Sequence, residues 1–315
     1  MSLNLNERAN QLADQMMERA HELRIGVNRS SAGARLIDCG IQNEGGLEAG
    51  LGLARVCMAD LSQLSIIPGQ IGEVTCPVIQ VATDWPVLAC MASQYAGWQI
   101  SVGKFFAMGS GPMRAVCGKE ELFDKIPGRE QSSVAVGVLE TRKMPTDEVI
   151  GFLCEKLNLP PDRLTLFFTP ASSQAGTIQV VARSLETALH KLYELKFDLS
   201  QVISGIGSAP LPPSASEEIQ AIGWTNDAIL YGGRVTLWVR ADDDLIREIG
   251  PRVPSDASPD HGEPFAAIFQ RYNQDFYKID PMLFSPAEIV FRNLKTGRSH
   301  AFGKISPEID RKSVV

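Results

Sequence analysis

What most constrains this chain is a recurrence with a period of about one hundred residues. Ile79-Gln80-Val81 returns as Ile178-Gln179-Val180, Gly109-Ser110-Gly111-Pro112 as Gly207-Ser208-Ala209-Pro210, and Val134–Val138 as Val235–Val239, at offsets of 99, 98 and 101 residues. Acidic helix starts follow the third pair both times, Thr146-Asp147-Glu148 and Asp242-Asp243-Asp244. Three matches in one order, at nearly one offset, argue for two related α/β units. The expected fold is therefore α/β (α+β mixed): two related domains facing each other across a substrate cleft, where duplicated folds commonly hold a ligand. Residues 1–145 would form the N-terminal domain and 146–315 the C-terminal one, with an exchange of segments near that boundary left open. A chain of 315 residues is long enough for both.

Composition then excludes several function classes. Apolar residues make up 44% and charged residues 21%, the balance of an ordinary globular protein. A net charge of −7 offers nothing to nucleic acid or an anionic membrane. No apolar run reaches the length of a membrane span. The first residues, MSLNLNERANQLADQMMERAHELRIGV, are charged throughout and lack the apolar core of a signal peptide, so they read as an amphipathic helix of a cytoplasmic protein. The six cysteines form no CxxC, and the four histidines are dispersed, so no metal site is expected.

Along the chain, a helix is expected over 47–61, with glycines 45, 46, 50 and 52 allowing backbone or ligand to approach closely. They do not form a GxGxxG after a strand, which removes the dinucleotide fingerprint. A strand over 73–83, bent near Pro77, leads to a helix that Asp84 caps and that runs through Pro86 to about residue 96. Residues 100–108 enter a tight turn at 109–112. Residues 251–264 read as a mobile surface loop, 276–287 as an aromatic packed loop, and 290–305 as a closing hairpin around Lys295–Arg298.

Thr169–Leu192 carries the chemistry. Ile178–Val181 has the branched side chains of a strand, and Ser184 can cap the helix that follows. In that helix Leu185, Ala188, Leu189 and Leu192 form the buried stripe, while Arg183, Glu186 and His190 fall on another side. The plain reading of Arg183 and Glu186 is a solvated ion pair. Their place at a strand-to-helix junction, where open α/β sheets put ligands, favours a site. In the recurrence, Arg183 aligns with Asp84, so the two halves have specialised. There is no GxSxG and no phosphate-binding loop. A carboxylate beside a guanidinium suits water activation or charge stabilisation without a cofactor.

Five runs together are more specific: GGLEAGLGLARVCM (45–58), FFAMGSGPMRA (105–115), TPASSQAGTIQVVARSLETALHKL (169–192), TNDAILYGG (225–233) and YKIDPMLFSPAEI (277–289). They closely resemble the methenyltetrahydromethanopterin cyclohydrolase family, in order over nearly the whole chain. Met113 and Leu47 depart from the family's usual residues there, which leaves details of the pocket wall open. The resemblance implies reversible hydrolysis of an N5,N10-methenyl cation to the N5-formyl derivative. It also implies two α/β domains, no metal or cofactor beyond a tetrahydromethanopterin-type carrier, and a homotrimer. Arg183 and Glu186 match the family's catalytic pair.

For the substrate, the glycine turns at 109–111 and 207–208 (Gly109, Ser110, Gly111 and Ser208) could offer backbone amides to the pterin or its anionic tail; plain tight turns are the alternative. Asn226 and Asp227 could bond the pterin's polar edges, or cap a helix. Two other readings remain: another pterin-linked one-carbon enzyme, which the missing dinucleotide fingerprint disfavours, and a non-catalytic pterin-binding protein, which an intact Arg183 and Glu186 disfavours.

Overall fold

The computed structural model describes residues 3–314, and for Tyr277 and residues 311–314 the backbone alone. The strands of the N-terminal half are β1 (Gly26–Arg29), β2 (Arg35–Asp38), β3 (Gln63–Ile71), β4 (Val74–Thr83), β5 (Trp98–Val102), β6 (Phe105–Ser110) and β7 (Ala135–Glu140). Those of the second half are β8 (Leu164–Thr169), β9 (Val202–Pro210), β10 (Arg234–Val239), β11 (Glu288–Asn293) and β12 (Ser299–Gly303). The helices are α1 (Leu5–Glu18), α2 (Ala20–Leu23), α3 (Leu47–Cys57), α4 (Met113–Cys117), α5 (Asp147–Leu157) and α6 (Gln174–Val181). After them come α7 (Ser184–Glu194), α8 (Glu218–Leu230), α9 (Asp243–Ile249), α10 (Phe265–Arg271) and α11 (Pro307–Val314). No described helix is long and apolar enough to cross a membrane.

The chain forms two compact units, and neither is continuous in sequence. One takes residues 1–62 and 88–179, the other residues 63–87 and 180–315. The units therefore do not divide at 145/146. The β3–β4 hairpin belongs with the C-terminal strands, and residues 146–179 belong with the N-terminal ones.

The first unit holds a six-stranded sheet in the order β1-β2-β8-β7-β6-β5. Its parallel centre, β2-β8-β7, is buried on both faces, which is why β8 reads as an unbroken apolar run, LTLFFT. One face is covered by α1 and α3, whose Ala9, Leu12, Leu53 and Val56 meet Val136 and Phe167; the other carries Ile150 and Leu153 of α5. Asn6, fully buried, pins α1 in place: its Nδ2 donates to the carbonyl of Pro112 at 2.8 Å, and its Oδ1 accepts from the amide of Val136 at 3.0 Å.

The second unit holds a six-stranded sheet in the order β12-β11-β10-β9-β4-β3. The recurrence survives in the topology. β6 pairs antiparallel with β7, which pairs parallel with β8; β9 pairs antiparallel with β10, which pairs parallel with β11. Helices α5 and α9 follow β7 and β10. Both Gly-Ser-x-Pro segments include the end of the strand that begins the motif. The first match fails, because Ile79–Val81 lies in β4 whereas Ile178–Val180 lies in α6.

Several local expectations change. Residues 87–94 form a π-helix, with the amide of Tyr95 reaching back to the carbonyl of Cys90 at 2.7 Å. Asp84 accepts from the hydroxyl of Ser204 at 2.7 Å. Residues 251–264 are tied down, with Val253 and Ser255 fully buried and the Ser258 hydroxyl donating to Asp280 at 2.6 Å. Phe276 and Phe284 join Phe265 and Phe269 in an aromatic cluster, as an aromatic packed loop requires; the Tyr277 side chain lies outside the described residues. The closing hairpin, β11–β12, forms antiparallel as read.

Candidate active site

Arg183 stands between two helices rather than between a strand and a helix, and Glu186 lies in the first turn of the second. Ile178–Val181 is helical despite its branched residues because the local and tertiary context overrides propensity. Ser173 starts α6 by accepting from the amide of Gly176 at 2.9 Å. Gly176 faces the carbonyl of Pro170 so closely that a Cβ would lie 1.9 Å from it, and Gly50 of α3 has room for Ile178 only because it lacks a side chain. Ile178, Gln179 and Val181 are all buried, so the helix is enclosed rather than amphipathic.

Helix α6 stops at Val181 and α7 begins at Ser184, with Arg183 at the N-cap (φ −84, ψ 3). The Arg183 amide donates to the carbonyl of Val180 at 3.0 Å, and its own carbonyl accepts from Thr187 at 2.9 Å. Ser184 does not cap. Its hydroxyl is buried without a hydrogen-bond partner. Leu185, Ala188, Leu189 and Leu192 are fully buried, as the helical spacing requires, and α7 lies on β9 and β10.

The other side of α7 is also enclosed. Arg183 is 8% exposed and Glu186 5%, which is incompatible with a solvated surface pair. Neither is without a partner. Glu186 lies in the first turn, where the helix dipole favours a carboxylate. His190, one turn further on, has its pKa lowered by burial, opposed by Glu194 at 3.8 Å. Lys191 is fully buried and donates to the carbonyl of Met282; burial pushes its pKa down to about 8. It was not singled out in the sequence, where a lysine in an apolar helix reads as solvated.

The expected binding residues separate. Gly109 and Ser110 end β6, and Gly111 (φ +90) makes the turn, its amide donating to the carbonyl of Ser93 at 2.9 Å. The Ser110 hydroxyl is buried and donates to the carbonyl of Val138 at 3.3 Å. Gly207 and Ser208 are strand, not turn: both sit inside β9, paired with β4 on one side and β10 on the other. A Cβ on Gly207 would meet Ser184 and Leu185, so Gly207 faces α7, and strand alternation turns Ser208 to the opposite face of the sheet. Asn226 and Asp227 are inside α8. Asn226 donates to the carbonyl of Ile222 at 2.8 Å. Asp227, 1% exposed, accepts from the amide of Phe265 at 2.7 Å and so caps α10 from a neighbouring helix.

Two further residues shape the first unit without having stood out in the sequence. Asp38 accepts from the amides of Gly40, Ile41, Gln42 and Asn43; burial pushes its pKa up, but these bonds outweigh it and hold the carboxyl below its usual range. Arg114, fully buried, donates twice to Glu120 (2.9 and 2.6 Å) and once to the carbonyl of Met91 at 2.9 Å. Among the described residues no group of three or more His, Cys, Asp or Glu could hold a metal ion.

A family described as Cyclohydrolase (MCH) matches residues 4–314. A methenyltetrahydromethanopterin cyclohydrolase from Rhodopirellula baltica is 48% identical over 287 residues, covering 90% of this chain and 86% of its own. Enzymes of the same name from Methylobacillus flagellatus (43% over 301 residues, 96% and 92% covered) and Methanosarcina barkeri (39% over 310 residues, 98% and 97% covered) are similar to it along the same length. With both units, the buried Arg183 and Glu186 and the five motif runs inside that match, the chain belongs to the cyclohydrolase (MCH) family.

Proposed function

We propose that this chain catalyses the reversible hydrolysis of N5,N10-methenyl-tetrahydromethanopterin, or of a close analogue of that carrier, to the N5-formyl form. The observation that carries the reading is the burial of Glu186 in the first turn of α7 with Arg183 at its N-cap, in a chain of this family. The substrate is an amidinium cation, so its bridging carbon is electrophilic without a metal or a second cofactor. Water adds to that carbon and gives a proton to Glu186. The tetrahedral adduct then breaks its C–N10 bond as its hydroxyl forms the formyl C=O and releases its proton to solvent, and N10 takes a proton back from the same carboxyl. The balance is cation plus water giving formyl product plus one proton. Arg183 holds the carboxylate in register and favours its ionised form.

Asn226 and Asp227 are engaged in the protein's own hydrogen bonds, and the reading routes no substrate contact through them. Gly109, Ser110 and Gly111 remain candidates for the carrier, whereas Ser208 faces away from α7. The reading includes a homotrimer in the cytoplasm, which sedimentation of the purified chain checks for assembly.

The test is the loss of methenyl absorbance with purified protein and no added metal or nucleotide. Glu186→Gln should lower kcat by about 10²- to 10⁴-fold, the range of general acid–base catalysis, with substrate binding kept. Full activity in that variant removes Glu186 as the base. Equal rates on methenyl-tetrahydrofolate would remove the methanopterin carrier.

A further inference from the structure

In the second unit a small recess, about 30 Å³ in volume, opens between α11, the β3–β4 hairpin, the end of β9 and the turn before β10. Ile71, Val78 and Pro210 give it apolar walls, and Ser208, Asp310 and Arg234 its polar groups. It lies on the face of β9 opposite α7, because Gly205 and Gly207 face that helix and Ser208 alternates away.

Asp310 is fully buried, and neither of its carboxylate oxygens has a hydrogen-bond partner. Leaving such a group unpaired costs several times the net gain of an ordinary hydrogen bond. The surroundings are built to accept the carboxyl at close quarters. Gly232 comes so near that a Cβ there would lie 2.1 Å from Oδ2. Among the described residues, the charged or titratable groups around it are Asp227 on α8 and Cys76 on β4, with Arg234 exposed at the rim.

Two simple occupants fit poorly. A proton neutralises the carboxyl but supplies no donor to its second oxygen. A calcium or magnesium ion asks for six or more oxygens, whereas this recess offers one carboxylate and one hydroxyl against hydrocarbon. A primary ammonium group brings three N–H donors and a carbon skeleton that suits apolar walls. We propose that this recess binds a small primary monoamine, its –NH₃⁺ on the Asp310 carboxylate and the Ser208 hydroxyl and its carbon chain against Ile71 and Val78. Arg234 at the rim repels a second positive charge, which selects a monoamine over a diamine.

The test is binding to the full chain, read by calorimetry and by Tm, with ethylammonium chloride against tetramethylammonium chloride at equal ionic strength. Ethylammonium should bind saturably and raise Tm, and tetramethylammonium, which has no N–H, should not. Burial, helped by Asp227, raises the pKa of Asp310 to about 8, so the amine displaces a proton and should bind roughly tenfold more tightly at pH 9 than at pH 7. Asp310→Asn should abolish the effect. Val78→Phe, which fills the recess and leaves Asp310 in place, should weaken binding at least tenfold and decides the matter if Asp310→Asn does not fold. Equal effects from the two cations, or binding unchanged in either variant, overturns the proposal. The readout is independent of turnover, so it stands or falls apart from the cyclohydrolase reading.

Discussion

Gly207 of β9 lies under the first turn of α7, so close that a Cβ would sit 2.7 Å from Ser184 Oγ and 2.8 Å from the backbone nitrogen of Leu185. The backbone atom cannot yield as a side-chain tip can. Gly207→Val should therefore shift the segment that holds Arg183 and Glu186. A displacement on the order of 1 Å at a catalytic group can cost about 10²-fold in rate. Steady-state kinetics of a folded Gly207→Val protein should show the loss in kcat, while Gly151→Ala, where nothing lies within 4 Å of the added methyl, should leave kcat unchanged.

Asp227 secures α10 from α8. Asp227→Ala leaves the buried amide of Phe265 without its acceptor, and urea unfolding should show a loss of about 1–3 kcal/mol. Methenyl turnover per folded molecule should persist, in keeping with a capping rather than a substrate role.

Arg114 and Glu120 form an ion pair in which the arginine is wholly enclosed. Arg114→Met removes four hydrogen bonds, including the anchors to the carbonyls of Met91 and Ser93, and should destabilise by about 3–5 kcal/mol in the same experiment. Arg19→Met, which breaks an exposed pair with Glu22, should change stability by less than about 1 kcal/mol.

Asp310 sets a pH dependence. Its folded pKa is raised to about 8 from the ordinary 3.8, so between these values the folded chain holds a proton that the unfolded chain has lost. That contribution is complete below about pH 4 and is lost as pH rises through 8, at no more than about 1.4 kcal/mol per pH unit. Asp310→Asn should lack this fall, so its stability relative to the parent should climb from pH 4 to 8 and then level off in denaturant titrations.

Lys191 has the opposite sign. Burial lowers its pKa to about 8 from 10.5, so above pH 8 the unfolded chain binds the extra proton and stability rises until about pH 10.5. Lys191→Met should remove that rise, which a comparison of the two proteins' urea midpoints at pH 8 and 10 would reveal.

Periodicity made the apolar side of α7 legible: Leu185, Ala188, Leu189 and Leu192 are all core. The hairpin of β11 and β12 was equally legible, since Lys295–Arg298 separates two strand-like runs. Ile178–Val181 misled because branched residues report a tendency to be buried, and here it is an enclosed helix that buries them. Gly207 and Ser208 misled because a glycine in a strand that allows a helix to approach is spelled like a glycine in a turn. The β3–β4 pairing with distant strands had no local signal, and neither had the burial of Lys191, Arg114 and Asp310, which depends on tertiary packing. Arg183 and Glu186 were singled out by their placement and by the family resemblance, since types and spacing alone read as a solvated pair, and their enclosure depended on tertiary packing.

The β3–β4 hairpin also sets an order of events during synthesis. Its residues 63–83 leave the ribosome long before Val202–Pro210, against which β4 pairs from Val78 onward. The first unit ends at residue 179, so its sheet can close while the hairpin still lacks its neighbour on one side. At about 5–20 residues per second, that edge waits several seconds. Pro68 and Pro77, paired across the hairpin, each withhold an amide from the ladder over that interval. Pro77 on the waiting strand, and Pro68 on the outer one, make the hairpin a poor template for a second nascent chain.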